Sequence, residues 1–266
     1  IPKVLKDDGR MDEKTLLLSA KMHKAISVMQ FKAEAQIFHR RPEWLMEDRC
    51  LLEHIDVEKG ICEIGGREYE MKDCHFPTGT MEMTEEETEL MQKLHHSFRV
   101  SEKLRKHIRT ILSHGCMYNI CNQNLLFHAS VPLNDDGSLK DVEILGKKYQ
   151  GRQLMEYIGQ LVRSAFQGDT PAEQKAYAKD YFLYLWCGKD SPLFDKSKMA
   201  TFERYFLADR DTYHEEKGNY FKLRDSVEVC DRILDAFGVM PSPAANGPAD
   251  GASRHIINGH VPVHAA

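Results

Sequence analysis

The chain has 266 residues, 42% hydrophobic and 29% charged, with a formal net charge of −5. That is enough apolar material for one large domain or two small ones, and the acidic balance argues against a broad footprint on a phosphate backbone, so no nucleic-acid partner is expected. Seven cysteines without a C-x-x-C pair fit reduced thiols in a cytoplasmic protein. With no apolar run of membrane length and no basic-then-apolar leader, no membrane partner is expected either.

In residues 12–39, Leu18, Met22, Ile26, Met29, Ala33 and Ile37 recur every three or four positions, which predicts a long amphipathic helix along that stripe. Pro42 should end it near Arg40 or Arg41. Three short β-type segments between residues 55 and 69, broken at Gly60 and at Gly65-Gly66, predict a small meander. Thr84 and Glu87 have capping-box spacing and should open a helix whose apolar positions run from Leu90 to Leu112 with a slight slip of phase, Gly115 being its stop. His95, His96 and His107 on it lack the spacing of a helical zinc pair and are expected at the surface.

Leu125-Leu126-Phe127, with a polar stop on either side, predicts a buried strand that presents His128 at its tip. A polar turn at residues 134–137 and a helix over 153–165 follow. Thr170-Pro-Ala-Glu173 signals another helix with Thr170 as its cap, carrying Tyr177, Tyr181, Tyr184 and Leu185 as a core-packing stripe and ending at Gly188. The loop over residues 188–194 combines a cation, a carboxylate and a hydroxyl beside a proline. It suits an anion, with Lys189 as a compact charge and Ser191 as a donor, although a helix cap with solvated charges explains the same residues equally well. Lys196, Lys198, Arg204 and Arg210 make the region locally basic. A last helix is expected over 223–237, then a flexible loop over 240–253 rich in Pro, Ala, Gly and Ser. His255-Ile256-Ile257 runs into Asn258-Gly259-His260, a second short strand leading to a histidine. A lone histidine at a strand end is most often a hydrogen-bonded core residue. Two of the same design shift the reading toward neutral nitrogen ligands for a divalent metal.

Gly115-Cys-Met-Tyr118, Asn124-Leu-Leu-Phe-His128, Leu185-Trp-Cys-Gly-Lys-Asp-Ser-Pro-Leu-Phe194, Lys198-Met-Ala-Thr-Phe-Glu-Arg204 and Ile256-Ile-Asn-Gly-His-Val-Pro-Val263 together resemble the class 3 fructose-1,6-bisphosphatases of bacteria, within the calcineurin-like metallophosphoesterases. The resemblance implies removal of the 1-phosphate of fructose 1,6-bisphosphate in gluconeogenesis by a two-metal hydroxide mechanism, with Mn²⁺ as cofactor and the sugar bisphosphate as small-molecule partner; self-association is left open. It implies an α+β, helix-rich fold: a helical insertion with a small β-meander over residues 1–115, then the second half of an αββα sandwich over 116–266. By the same resemblance His128 and His260 are metal ligands, and Lys189, Ser191 and Arg204 bind substrate. The family's Gly-Asp-x-x-Asp-Arg-Gly and Gly-Asn-His motifs are not in this sequence, and Pro262 stands where many relatives carry a further histidine. The sequence is therefore expected to be a central-to-C-terminal piece that holds no catalytic proton donor and is inactive alone. A phosphatase for another phosphoester and a non-catalytic helical interaction module are the two rival readings.

Overall fold

A computed structural model describes residues 12–72, 82–240 and 254–260. In chain order come α1 (Glu13–Arg40), the strands β1 (Ile55–Asp56), β2 (Ile61–Ile64) and β3 (Arg67–Glu70), and the helices α2 (Glu85–Val100) and α3 (Glu102–His114). Then follow β4 (Tyr118–Cys121), β5 (Asn124–Phe127), β6 (Val142–Ile144), β7 (Lys147–Tyr149), α4 (Gly151–Ser164) and α5 (Ala172–Cys187). Short helices α6 (Thr201–Phe206) and α7 (Asn219–Leu223), then α8 (Val227–Ala236) and β8 (His255–Asn258), complete an α+β chain. The described residues group into two compact units, those of 1–105 with 200–214 and those of 106–199 with 215–266, the division falling inside α3.

In the first unit the expected meander forms as an antiparallel sheet in the order β1-β2-β3. Its Cys62 packs with Val28 and Phe31 of α1 and with Phe202, Phe206 and Leu207. The stripe read from the sequence is covered only in its C-terminal half: Leu18, Met22 and Ile26 are exposed, Met29 is buried and Ala33 and Ile37 are half-buried, and Val28, Phe31, Ala35 and Phe38 are buried beside them. The buried residues of α1 all lie between Ser27 and Phe38, where the two phenylalanines supply the largest apolar surface to remove from water. Glu203 of α6 is fully buried and holds Arg49 Nη2 with both carboxylate oxygens at 2.9 Å. The Thr84–Glu87 capping box is present, and Glu87 also receives the nearly buried Lys32 ammonium of α1 at 2.7 Å. The slip of phase after Val100 is a break, because Ser101 is extended and α3 starts afresh behind it.

In the second unit β5 is the middle strand of a mixed sheet, antiparallel to β4 and parallel to β8. Leu125 and Phe127 alternate with half-buried Leu126, and they pack under Tyr220, Val229, Ile233 and Phe237. The tyrosine stripe of α5 is core, as expected: Tyr177, Tyr181 and Tyr184 are buried. Thr170 does not cap this helix. Pro171 occupies the cap position without a side-chain bond, so α5 begins one residue later than its signal. The expected helix over 223–237 starts at Val227, where Ser226 accepts from the Val229 amide, and Val227 itself is exposed. Arg254 ties the start of β8 to α8 through Asp231 and Asp235. All but the first residue of the expected 240–253 loop lies outside the described residues.

Candidate active site

Because β5 and β8 run parallel with Phe127 opposite Asn258, the chain leaves both strands at the same end of the sheet. The Gly259 amide donates to the His128 carbonyl at 2.9 Å. The Asn258 amide group donates to the Ala129 carbonyl at 3.1 Å, while its oxygen accepts from the Tyr220 hydroxyl at 2.9 Å. Tyr220 and Asn258 thus hold the two strand ends together. His260 sits at φ 64, in the left-handed region that side chains rarely adopt. The outcome is that His260 Nδ1 lies 3.2 Å from His128 Nε2.

Two nitrogens bonded to one ion at about 2.1 Å, with an angle between 90° and the tetrahedral value, stand roughly 3.0–3.4 Å apart, so the pair fits a shared ion. Partial desolvation of its exposed ring, then the neighbouring His128 and Lys196, lowers the His260 pKa, which favours the neutral imidazole that a ligand must be. Among the described residues no group of three or more His, Cys, Asp or Glu side chains surrounds such a position. Two imidazoles alone would be an incomplete donor set for a hard divalent ion, which draws most of its affinity from carboxylates.

Lys189 is exposed and lines a cavity of about 420 Å³ with Lys140, Asp190, Asp195, Lys196, Lys217 and other residues. Lys196, which lines this cavity, is also one of the charges that lower the His260 pKa. Ser191 is not available as a substrate donor. It is fully buried; its hydroxyl donates to the Leu185 carbonyl at 2.6 Å and accepts from the Leu193 amide at 3.1 Å, so it shapes the loop. The loop is joined to the His128 strand by the Ser130 amide, which donates to Pro192 O at 3.1 Å. Arg204 lies on α6 in the first unit, where its guanidinium donates to the Tyr213 carbonyl at 3.3 Å.

Sequence reasoning missed Asp195. It is 4% exposed at φ 49, and a Cβ on Gly218 would stand 1.9 Å from its carboxylate, so glycine there is what lets the two segments approach. Burial pushes its pKa up to about 7 against the opposing pull of the facing Ser130 hydroxyl, yet neither Ser130 Oγ nor Asp195 Oδ2 closes a hydrogen bond. Below the ordinary value of 3.8 the carboxyl is protonated in folded and unfolded chains alike. Between 3.8 and about 7 the unfolded chain releases a proton that the folded one keeps, so stability falls with rising pH across that window and levels off above it. Asp195→Asn removes this burden. Its stability gain over wild type, from urea unfolding at pH 4, 6 and 8, is expected to grow from near zero to on the order of a few kcal/mol. A gain that does not change with pH would sink this account.

The relatives of this chain are named as phosphatases. A family model described as Firmicute fructose-1,6-bisphosphatase matches residues 1–266, and the chain belongs to that family. It is 54% identical over 267 residues to a protein of Phocaeicola vulgatus named fructose-1,6-bisphosphatase class 3, which covers 98% of this chain and 39% of the relative. Proteins of the same name from Parabacteroides distasonis and Clostridium botulinum are 51% and 47% identical, each match covering 99% of this chain and 39% of the relative. The chain thus spans about two-fifths of the length of the curated relatives it matches. No solved structure matches it.

Proposed function

We propose that this chain is the part of a fructose-1,6-bisphosphatase that supplies two metal-ligating imidazoles and a pocket for the sugar phosphate, in an enzyme releasing the 1-phosphate of fructose 1,6-bisphosphate. The observation that carries the reading is the convergence of His128 and His260 at one end of a parallel strand pair, 132 residues apart in sequence and 3.2 Å apart in space. Divalent manganese, when bound, supplies an activated water and withdraws charge from the phosphoryl oxygens. His128 and His260 hold their part of its donor set, Tyr220 and Asn258 fix the spacing between them, and Lys189 attracts the substrate's anionic end. The remaining ligands, carboxylates among them, would come from residues outside this chain. With them would come the other half of an αββα sandwich; parallel strands such as β5 and β8 are usually covered on both faces, and Ile257 of β8 is half exposed. We place the enzyme in the cytoplasm, which suits its substrate and the free thiols of the described cysteines.

The test is phosphate release from fructose 1,6-bisphosphate with added manganese, measured on this chain and on the complete reading frame that encodes it. Turnover by the complete frame and none by the chain alone is the expected result. A complete frame that hydrolyses other phosphoesters but leaves fructose 1,6-bisphosphate untouched would defeat the reading.

A further inference from the structure

Five lysines and four carboxylates line the cavity beside Lys189. Three of the lysines are already neutralised: Lys140 by Asp190 at 2.7 Å, Lys196 by Glu215 at 2.8 Å and Lys222 by Glu216 at 2.7 Å. Lys189 and Lys217 form no ion pair among the described residues, and Lys217 is brought to the rim by its antiparallel bridge to Lys196. Asp195 lines the same cavity, 4% exposed, with one carboxylate oxygen that closes no hydrogen bond among the described residues although the Ser130 hydroxyl faces the carboxylate. A buried acceptor without a donor is costly to keep, and a ligand bearing hydroxyl groups relieves that cost. Two unpaired ammonium groups beside one orphan acceptor therefore ask for a molecule that carries both an anion and hydroxyl donors. A small cation is disfavoured by the same lysines. The volume, about 420 Å³, lies within the range of small-molecule sites.

We infer that this cavity is the subsite for the unreacting, phosphorylated end of a sugar phosphate, with Lys189 and Lys217 holding the phosphate and Asp195 accepting a hydrogen bond from a sugar hydroxyl. Asp195 is then a specificity-determining residue, because it separates phosphorylated polyols from phosphate alone. The inference deepens the bisphosphatase reading and rests on it for the identity of the sugar.

The complete reading frame is titrated calorimetrically, without metal, with fructose 6-phosphate and separately with inorganic phosphate. Lys217→Ala is expected to weaken both by about tenfold. Asp195→Asn is expected to weaken fructose 6-phosphate by about tenfold while leaving inorganic phosphate unchanged or tighter, since it removes a negative charge. Should Asp195→Asn fail to fold, exposed Lys217 carries the test with Lys189→Ala beside it. Wild-type affinity for fructose 6-phosphate in both lysine variants overturns the subsite, and so does an Asp195→Asn variant that weakens the two ligands equally. If the variants behave as expected and fructose 1,6-bisphosphate is not hydrolysed, the reaction assigned above fails while the subsite stands. If hydrolysis proceeds and the variants bind normally, only the subsite fails.

Discussion

In the complete reading frame, His128→Ala and His260→Ala are each expected to lower kcat/KM for fructose 1,6-bisphosphate by at least about 10³-fold, because losing a ligand removes both the activation of water and the charge withdrawal that the ion provides. Both side chains are exposed, so neither substitution should move stability by more than about 0.5 kcal/mol. That contrast separates a ligand from a structural histidine. Equilibrium dialysis with manganese supplies a readout apart from turnover: each variant should retain less bound metal than the parent. Activity within threefold of wild type in either variant would remove the pair from the metal site.

Arg49→Ala is expected to destabilise the first unit by about 3–5 kcal/mol, since it leaves the carboxylate of Glu203 buried without its guanidinium. Glu203 has no accessible side-chain surface, and Arg49 has 11% of its own. Replacing both partners together, as Arg49→Met with Glu203→Leu, should cost much less than the single change, because the buried carboxylate is then removed along with its guanidinium. Urea unfolding followed by far-UV circular dichroism measures both. A loss below about 1 kcal/mol in Arg49→Ala would mean that water reaches Glu203 or that another group takes over.

Local chemistry was legible where one residue type decides the outcome. The capping box at Thr84, the meander marked by Gly60 and Gly65-Gly66, and the strand that delivers His128 all follow from short-range rules, and all form. Choices between two locally equivalent alternatives were not legible. Leu18, Met22 and Ile26 carry the same periodicity as buried Met29, and only the neighbours in the fold decide how much of the helix is covered. Ser191 has the hydroxyl of a ligand-binding residue, yet the geometry of its own loop consumes it. Asp195 and Lys217 carry no motif. Their roles come from Gly218 lying against the carboxylate and from a bridge between segments some twenty residues apart. The approach of His128 to His260 was anticipated from two strands of one design. The Tyr220–Asn258 link that sets their spacing was not, because it joins side chains 38 positions apart.

The parallel pairing of β5 with β8 also bears on how the chain reaches this state. Its first contact, between Asn124 and His255, closes a loop spanning 131 residues. The length-dependent part of that closure entropy is about 4 kcal/mol, far more than the two-residue turn between β4 and β5 requires. Non-local pairing of this kind forms late and slows folding. The helices and hairpins can therefore be in place while the imidazoles are still apart, and the two proposed metal ligands meet in one of the last steps of folding. A newly made chain would be blind to the ion until β8 docks, and an ion captured afterwards would act as a latch on the longest-range contact in the sheet.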